Sequence, residues 1–356
     1  MRKISGYWVT AAWTVALLAL CVARGHAADQ RTFSEQAGYA LQIGGETEYV
    51  QLLQGGSPVG QVVEEKTATD GWIKKHIGGV AVEDVRAHIR PDQFSKFLSD
   101  SLASNSHVDG AMYLLSGMGQ VAQERSLTHM MLNELSIPAL NGSSKDALYL
   151  QIGLAVDQSN LLKGGTLNPP KIAPHTKNVL NNSFVVTIPG LPTARIAGIE
   201  PISIHRKLNT DAIGEMRDYQ KHPVAWDVSN IVFYVAAPDA QKYLDWQEDF
   251  VVKGNRTSDK EKTLTLELKA ADMNTTILTL NALGVGIVSA KYTAASAATE
   301  SIMRLRVEVY AEKMTLDPGK ATANAQPTND PKPDPKADSR GTIRRPTETP
   351  LRGRAR

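Results

Sequence analysis

The sequence predicts an α+β protein built as two tandem small antiparallel β-barrel or sandwich domains, each with one or two helices. Three observations predict this. Short apolar runs alternate with period two, Pro-Asp dipeptides open two amphipathic stretches, and the features recur once in the same order along the 356 residues. Tyr39-Ala40-Leu41-Gln42-Ile43-Gly44-Gly45 is echoed by Phe184-Val185-Val186-Thr187-Ile188-Pro189-Gly190, and Pro91-Asp92 by Pro238-Asp239. Leu132-Asn133-Glu134-Leu135 is echoed by Leu280-Asn281-Ala282-Leu283, and the alternating run 148–156 by 303–311. A chain of this length holds two domains of ordinary size, each able to bury a core. Duplicated domains favour assembly and scaffolding over a single catalytic cleft.

Residues 1–27 read as a secretory signal. Arg2 and Lys3 precede an uncharged run from Ile4 to Ala23, and Gly25-His26-Ala27 offers a small-residue cleavage site before Ala28-Asp29. A membrane anchor is the competing reading, because the apolar run is about long enough to span a bilayer. Leu20 before Cys21 is too bulky for a lipid-attachment site. Cys21 is the only cysteine, so the mature chain is expected to have neither disulfide nor thiol chemistry despite an oxidising destination, periplasmic or extracellular.

The first domain is expected over 33–162. Phe94, Phe97, Leu98 and Leu102 make one stripe of a helix beginning near Asp92, and a further helical patch is expected over 126–135. In the closing strand Leu148, Leu150, Ile152, Leu154 and Val156 point inward. Paired glycines and prolines then mark a linker over 163–180.

The second domain is expected over 181–316. Phe184, Val186 and Ile188 fall on one face of a strand, as do Ile202 and Ile204, and Leu264, Leu266 and Leu268. Ile231-Val232-Phe233-Tyr234-Val235 is apolar on both faces, which means a central strand or one whose outer face meets another chain. Asp239 is placed to cap a helix running to Phe250. In the last strand Met303, Leu305, Val307 and Val309 alternate with Arg304, Arg306, Glu308 and Tyr310. Residues 317–356 are rich in proline and poor in large apolar groups, and read as a disordered tail. It ends on Arg344, Arg345, Arg352, Arg354 and Arg356, an electrostatic handle for an anionic partner or else only a solubilising extension.

The second domain resembles the tube proteins of contractile phage tails and their relatives in secretion and extracellular injection machines. The residues carrying the resemblance are the Phe184–Gly190 run, the Ile196-Ala197-Gly198-Ile199 step, the long loop 207–226, the strand 228–235, the helix with Asp245-Trp246, the strand 262–268 and the closing strand through Glu312. The first domain shares it through the internal repeat. The resemblance implies a non-enzymatic subunit whose barrels join edge to edge into rings, usually of six domains, that stack into a tube. Three chains would then complete a ring, with 66–79 and 207–226 as assembly loops. Ile231, Phe233, Tyr234, Trp226 and Tyr310 are the expected interface residues. An export signal and a fused duplication depart from the family pattern and point to an exported relative, with an envelope protein or anionic polymer as a further partner.

No constellation of residues points to catalysis, and no cofactor, metal or nucleic acid is implied. The histidines never fall at metal-ligand spacing with a helical glutamate. Ser116-Gly117-Met118-Gly119 lacks the glycine that a nucleophile elbow needs before its serine. Asp245, Glu248 and Asp249 read as the exposed acidic face of a helix. The alternative to self-assembly is a monomeric periplasmic binding module for a polysaccharide or protein, with Trp72 and Trp226 as stacking platforms; a hydrolase ranks below both.

Overall fold

Alternating apolar runs form ladders almost throughout the computed structural model, which describes residues 38–65, 71–116, 120–163, 179–213, 218–293 and 303–319. The expected signal, the Arg-rich end of the tail and most of the linker lie outside the described residues. The first half holds β1 (Tyr39–Ile43), β2 (Glu46–Val50), β3 (Leu52–Gln54), β4 (Pro58–Glu65), β5 (Lys74–Val82) and β6 (Val85–Ile89). Then come α1 (Ser95–Ala103), β7 (Val108–Leu115), β8 (Val121–Ile137), β9 (Leu140–Asn141), β10 (Leu150–Ala155) and β11 (Gln158–Lys163). The second half holds β12 (Phe184–Thr187), β13 (Ile196–Ile199), β14 (Ile202–Ile213), β15 (Asp218–Val228), β16 (Ile231–Ala236), α2 (Ala240–Gln247), β17 (Lys262–Lys269), β18 (Thr276–Tyr292), β19 (Arg304–Tyr310) and β20 (Lys313–Pro318). The described residues are thus mostly β, in a nearly closed barrel sheet. Among them no helix is long and apolar enough to cross a membrane.

The ladders of the two halves follow one scheme. In the first, β1 pairs with β7, β7 with β8, β8 with β10 and β11, β10 with β6, β6 with β3, and β4 with β5. In the second, β12 pairs with β17, β17 with β18, β18 with β19 and β20, β19 with β16, β16 with β13, and β14 with β15. Even the irregularities recur. Asn133 is skipped between Leu132↔Leu154 and Glu134↔Gly153, and Val288 between Ile287↔Val309 and Ser289↔Glu308. His129 and Gly284 hold left-handed backbone, φ 53° and 61°, at the same place in β8 and β18.

Those irregularities explain an expectation that fails. Residues 126–135 form strand rather than helix, as does the stretch around Leu280–Leu283. A bulge puts two successive residues opposite one and breaks the period of two. Leu127, Met130, Met131, Leu132 and Leu135 are all buried, a spacing that imitates a helix. The echo of Leu132-Leu135 is also displaced, since the register sets Leu132 against Ile287 rather than Leu280. The long loop expected over 207–226 is instead most of the β14–β15 hairpin, and β4–β5 is its counterpart. The strand expected over 228–235 is interrupted between Val228 and Ile231.

Buried apolar residues of both halves join in one core. Phe94 and Leu98 anchor α1, and Phe233 meets Tyr243 of α2 edge-on with ring centroids 5.8 Å apart. Asp239 occupies the N-cap position of α2 but makes no capping bond, because its carboxylate takes Nε and Nη2 of Arg195.

Candidate assembly interface

The halves meet by strand addition. The start of β14 lies antiparallel to the end of β8, with Ile202↔Ile137, Ser203↔Ser136, Ile204↔Leu135 and His205↔Glu134. The Ser229 N–H donates to the Ser203 carbonyl, which turns residue 203 toward β15 and leaves the backbone groups of Ile204 facing β8. Ile202, Ile204, Leu135 and Ile137 are buried on the same side of this ladder. Beside it β13 adds to β9. Gly198 permits that approach, since a Cβ there would stand 2.8 Å from the Leu140 carbonyl oxygen.

Side chains lock the addition. Arg206 is buried, and its Nη2 donates to the carbonyls of Ser101 (2.7 Å) and Ser104 (3.0 Å) at the end of α1. Its guanidinium lies over the Trp226 ring at 4.0 Å. Burial lowers the Arg206 pKa, but guanidinium remains charged. Lys221 of β15 donates from Nζ to the Val82 carbonyl and to Asp84 Oδ1, and its backbone N–H donates to Asp157 Oδ1. α1 lies against β20, where Leu316 is buried.

The expected interface residues divide by burial. Ile231 and Phe233 are buried in the chain's own core, in a β16 flanked on both edges by β13 and β19. Tyr234 is half-buried and its hydroxyl donates to Glu200 Oε1 at 2.6 Å; that bond first, then Arg306, holds the Glu200 carboxyl below its usual range. Tyr310, also half-buried, donates to Glu261 Oε1, and burial with that bond pushes its hydroxyl up to about 12. Trp226 lies within β15 under Arg206. Arg344, Arg345, Arg352, Arg354 and Arg356 lie outside the described residues.

A different surface, not marked by those residues, exposes large apolar side chains. β4 is exposed along its whole length, including Pro58, Val59, Val62 and Val63. Across from it Ile77 is 60% exposed, and Trp72 before β5 is 78% exposed. At the end of β18, residues Ser289–Tyr292 pair with β19 on one side, and no described strand pairs with them on the other. Tyr292 is 49% exposed although its register counterpart Ile137, under β14, is 2%. Leu161 of β11 is 55% exposed although its counterpart Leu316, under α1, is 1%. The signal was the valine-rich run Val59-Gly60-Gln61-Val62-Val63, apolar without an inward partner.

Among the described residues no three His, Cys, Asp or Glu side chains gather as a metal site. No family model matches the chain, and no curated protein matches it. Among solved structures it is similar to a chain of the extended PVC sheath-tube complex, an extracellular contractile injection system, at 15% identity over 38% of this chain and 88% of that one, with a TM-score of 0.32. It is similar to the tube-terminating cap of the anti-feeding prophage at 15% identity over 43% of this chain and 99% of that one, TM-score 0.34. For Hcp1 from Flavobacterium johnsoniae the values are 14%, 38%, 95% and 0.26. Each of these matches spans less than half of this chain, and likeness at this distance assigns no activity.

Proposed function

We propose that the chain is an exported, non-enzymatic structural subunit made of two tail-tube-like domains, 33–162 and 181–316, that works by assembling with further copies of itself into a ring. One observation carries the reading: the second half already adds its β14 edge to the first half's β8, with buried apolar side chains on the ladder. The two halves follow one pairing scheme, so each has both an adding hairpin and a receiving strand, and among the described residues only one of each is used within the chain. Such a head-to-tail contact closes into a ring when its rotation divides the circle, and extends as a filament when it does not. Three chains would supply six domains. Pairing of open edges also removes the aggregation hazard that an exposed β4 carries in a lone chain.

Light scattering after size exclusion tests this, followed by negative-stain imaging of the same fraction. A mass of three chains, or rings in the images, is the expected result. A monomer at every concentration refutes it and favours the binding module instead.

A further inference from the structure

The junction within the chain specifies the junction between copies. We propose that the β4–β5 hairpin of one chain adds antiparallel to the free end of β18 of a second copy, with Pro58 opposite Ala290 and Val59 opposite Ser289. This rests on the self-assembly reading and gives it a register.

The correspondence follows from the ladders. Pro58 stands opposite Val82 as Ile204 stands opposite Val228, and the bulges after Gln61 and after Lys207 fall at the same place. On the receiving side Ser289 stands opposite Glu308 as Glu134 stands opposite Gly153, so Ala290 corresponds to Leu135 and Tyr292 to Ile137. Where Ile204 meets Leu135 and His205 meets Glu134 inside the chain, Pro58 meets Ala290 and Val59 meets Ser289 between copies. The Glu83 N–H donates to the Ser57 carbonyl as that of Ser229 does to Ser203, so the Pro58 carbonyl faces outward toward the partner.

The flanking groups agree in kind. Lys75 is opposite Glu64 as Lys221 is opposite Thr210, and it makes an exposed ion pair with Glu64. Glu312 precedes β20 as Asp157 precedes β11 and is exposed. The Lys75 backbone N–H is thereby placed to donate to Glu312 of the second copy as the Lys221 backbone N–H donates to Asp157 Oδ1 within the chain. The contact of α1 with β20 translates into α2 against β11, and there Leu161, Leu162, Val251 and Val252 are exposed.

The two junctions differ in strength. Proline has no N–H, so Pro58 accepts from the partner but cannot donate as Ile204 does. Gly56 is turned inward, its N–H on the Glu83 carbonyl and its own carbonyl on Ser159 Oγ, which starts the ladder between copies at Ser57. Gly60 stands where the first half would need Arg206, so no guanidinium clamps this contact. The contact between copies is therefore the weaker and reversible one.

The test uses the full chain, with Cys21→Ser where residues 1–27 are retained. Val59→Cys combined with Ser289→Cys places two thiols at a directly opposed pair that is not hydrogen-bonded across the junction, within disulfide range. Val59→Cys with Lys291→Cys places them on a diagonal, about 7–8 Å apart and too far to bridge. Expected under mild oxidation are multimers covalently linked in the first variant and not in the second. Pro58→Ile restores one donor and lowers the concentration of half-assembly by about three- to tenfold. Multimers that form without the specific cross-link overturn this junction and leave the self-assembly reading standing. A monomer at every concentration, Pro58→Ile included, overturns both.

Discussion

Replacing Arg206 by methionine removes the clamp between the two halves while keeping most of the side-chain length. The guanidinium makes two charge-assisted bonds to carbonyls at the end of α1 and stacks on Trp226. Bonds of this type contribute about 1.5–3 kcal/mol each, and a partly desolvated stack about 1–2 kcal/mol. Against this, burying the charge is costly, and among the described residues Arg206 Nη1 has no hydrogen-bond partner. Methionine relieves that cost but strands the Ser101 carbonyl, a penalty of about 1–3 kcal/mol. The net expected loss is about 2–3 kcal/mol of stability. Urea unfolding followed by circular dichroism and by tryptophan fluorescence measures it, and the two probes should separate in the variant as the halves uncouple. Arg206→Lys keeps a charge without the planar fork and should fall between the two. A methionine variant within about 0.5 kcal/mol of the parent, with coincident probes, refutes the clamp.

Three further outcomes follow from the same geometry. Gly198→Ala puts a methyl against the Leu140 carbonyl and should cost about 1–3 kcal/mol by urea unfolding, with retained β circular dichroism. Burial raises the Glu48 carboxyl above its usual range, so ionising it at neutral pH opposes folding; Glu48→Gln should raise Tm by a few degrees at pH 7, and the gain should vanish below about pH 4, where the unfolded carboxyl is also protonated. Glu200 has the opposite sign: its carboxyl is lowered by Tyr234 and Arg306, so its contribution is present above the unfolded carboxylate range and is lost as pH falls through the folded value. Parent and Glu200→Gln should therefore differ in Tm at pH 7 and converge in acid.

Much of the scaffold was legible because period-two alternation reports local geometry. The runs Tyr39–Ile43, Phe184–Thr187 and Lys262–Lys269 became strands where the alternation placed them, and the helix expected from near Asp92 became α1, which begins only at Ser95 because Phe94 holds left-handed backbone. The helix expected over 126–135 failed for a local reason of another kind, since the left-handed His129 and the bulge at Asn133 shift the phase of side chains without any mark in composition. The candidate interface was least legible. Ile231 and Phe233 read as candidates because they are apolar on a two-sided strand, yet strands on both edges and α2 bury them within the chain.

The order of apolar and polar residues alone determined that the chain is strand-rich, that its features recur once, and that a helix follows each Pro-Asp. Only the tertiary structure decided which edges are consumed. Whether β8 or β18 has an open side depends on where β14 lies, and that placement rests on Gly198, Arg206 and Lys221 meeting groups many residues away. Strand propensity is a property of neighbours along the chain, whereas edge satisfaction is a property of neighbours in space, and the backbone groups left over at Pro58 and Ala290 are visible only once every other ladder has formed.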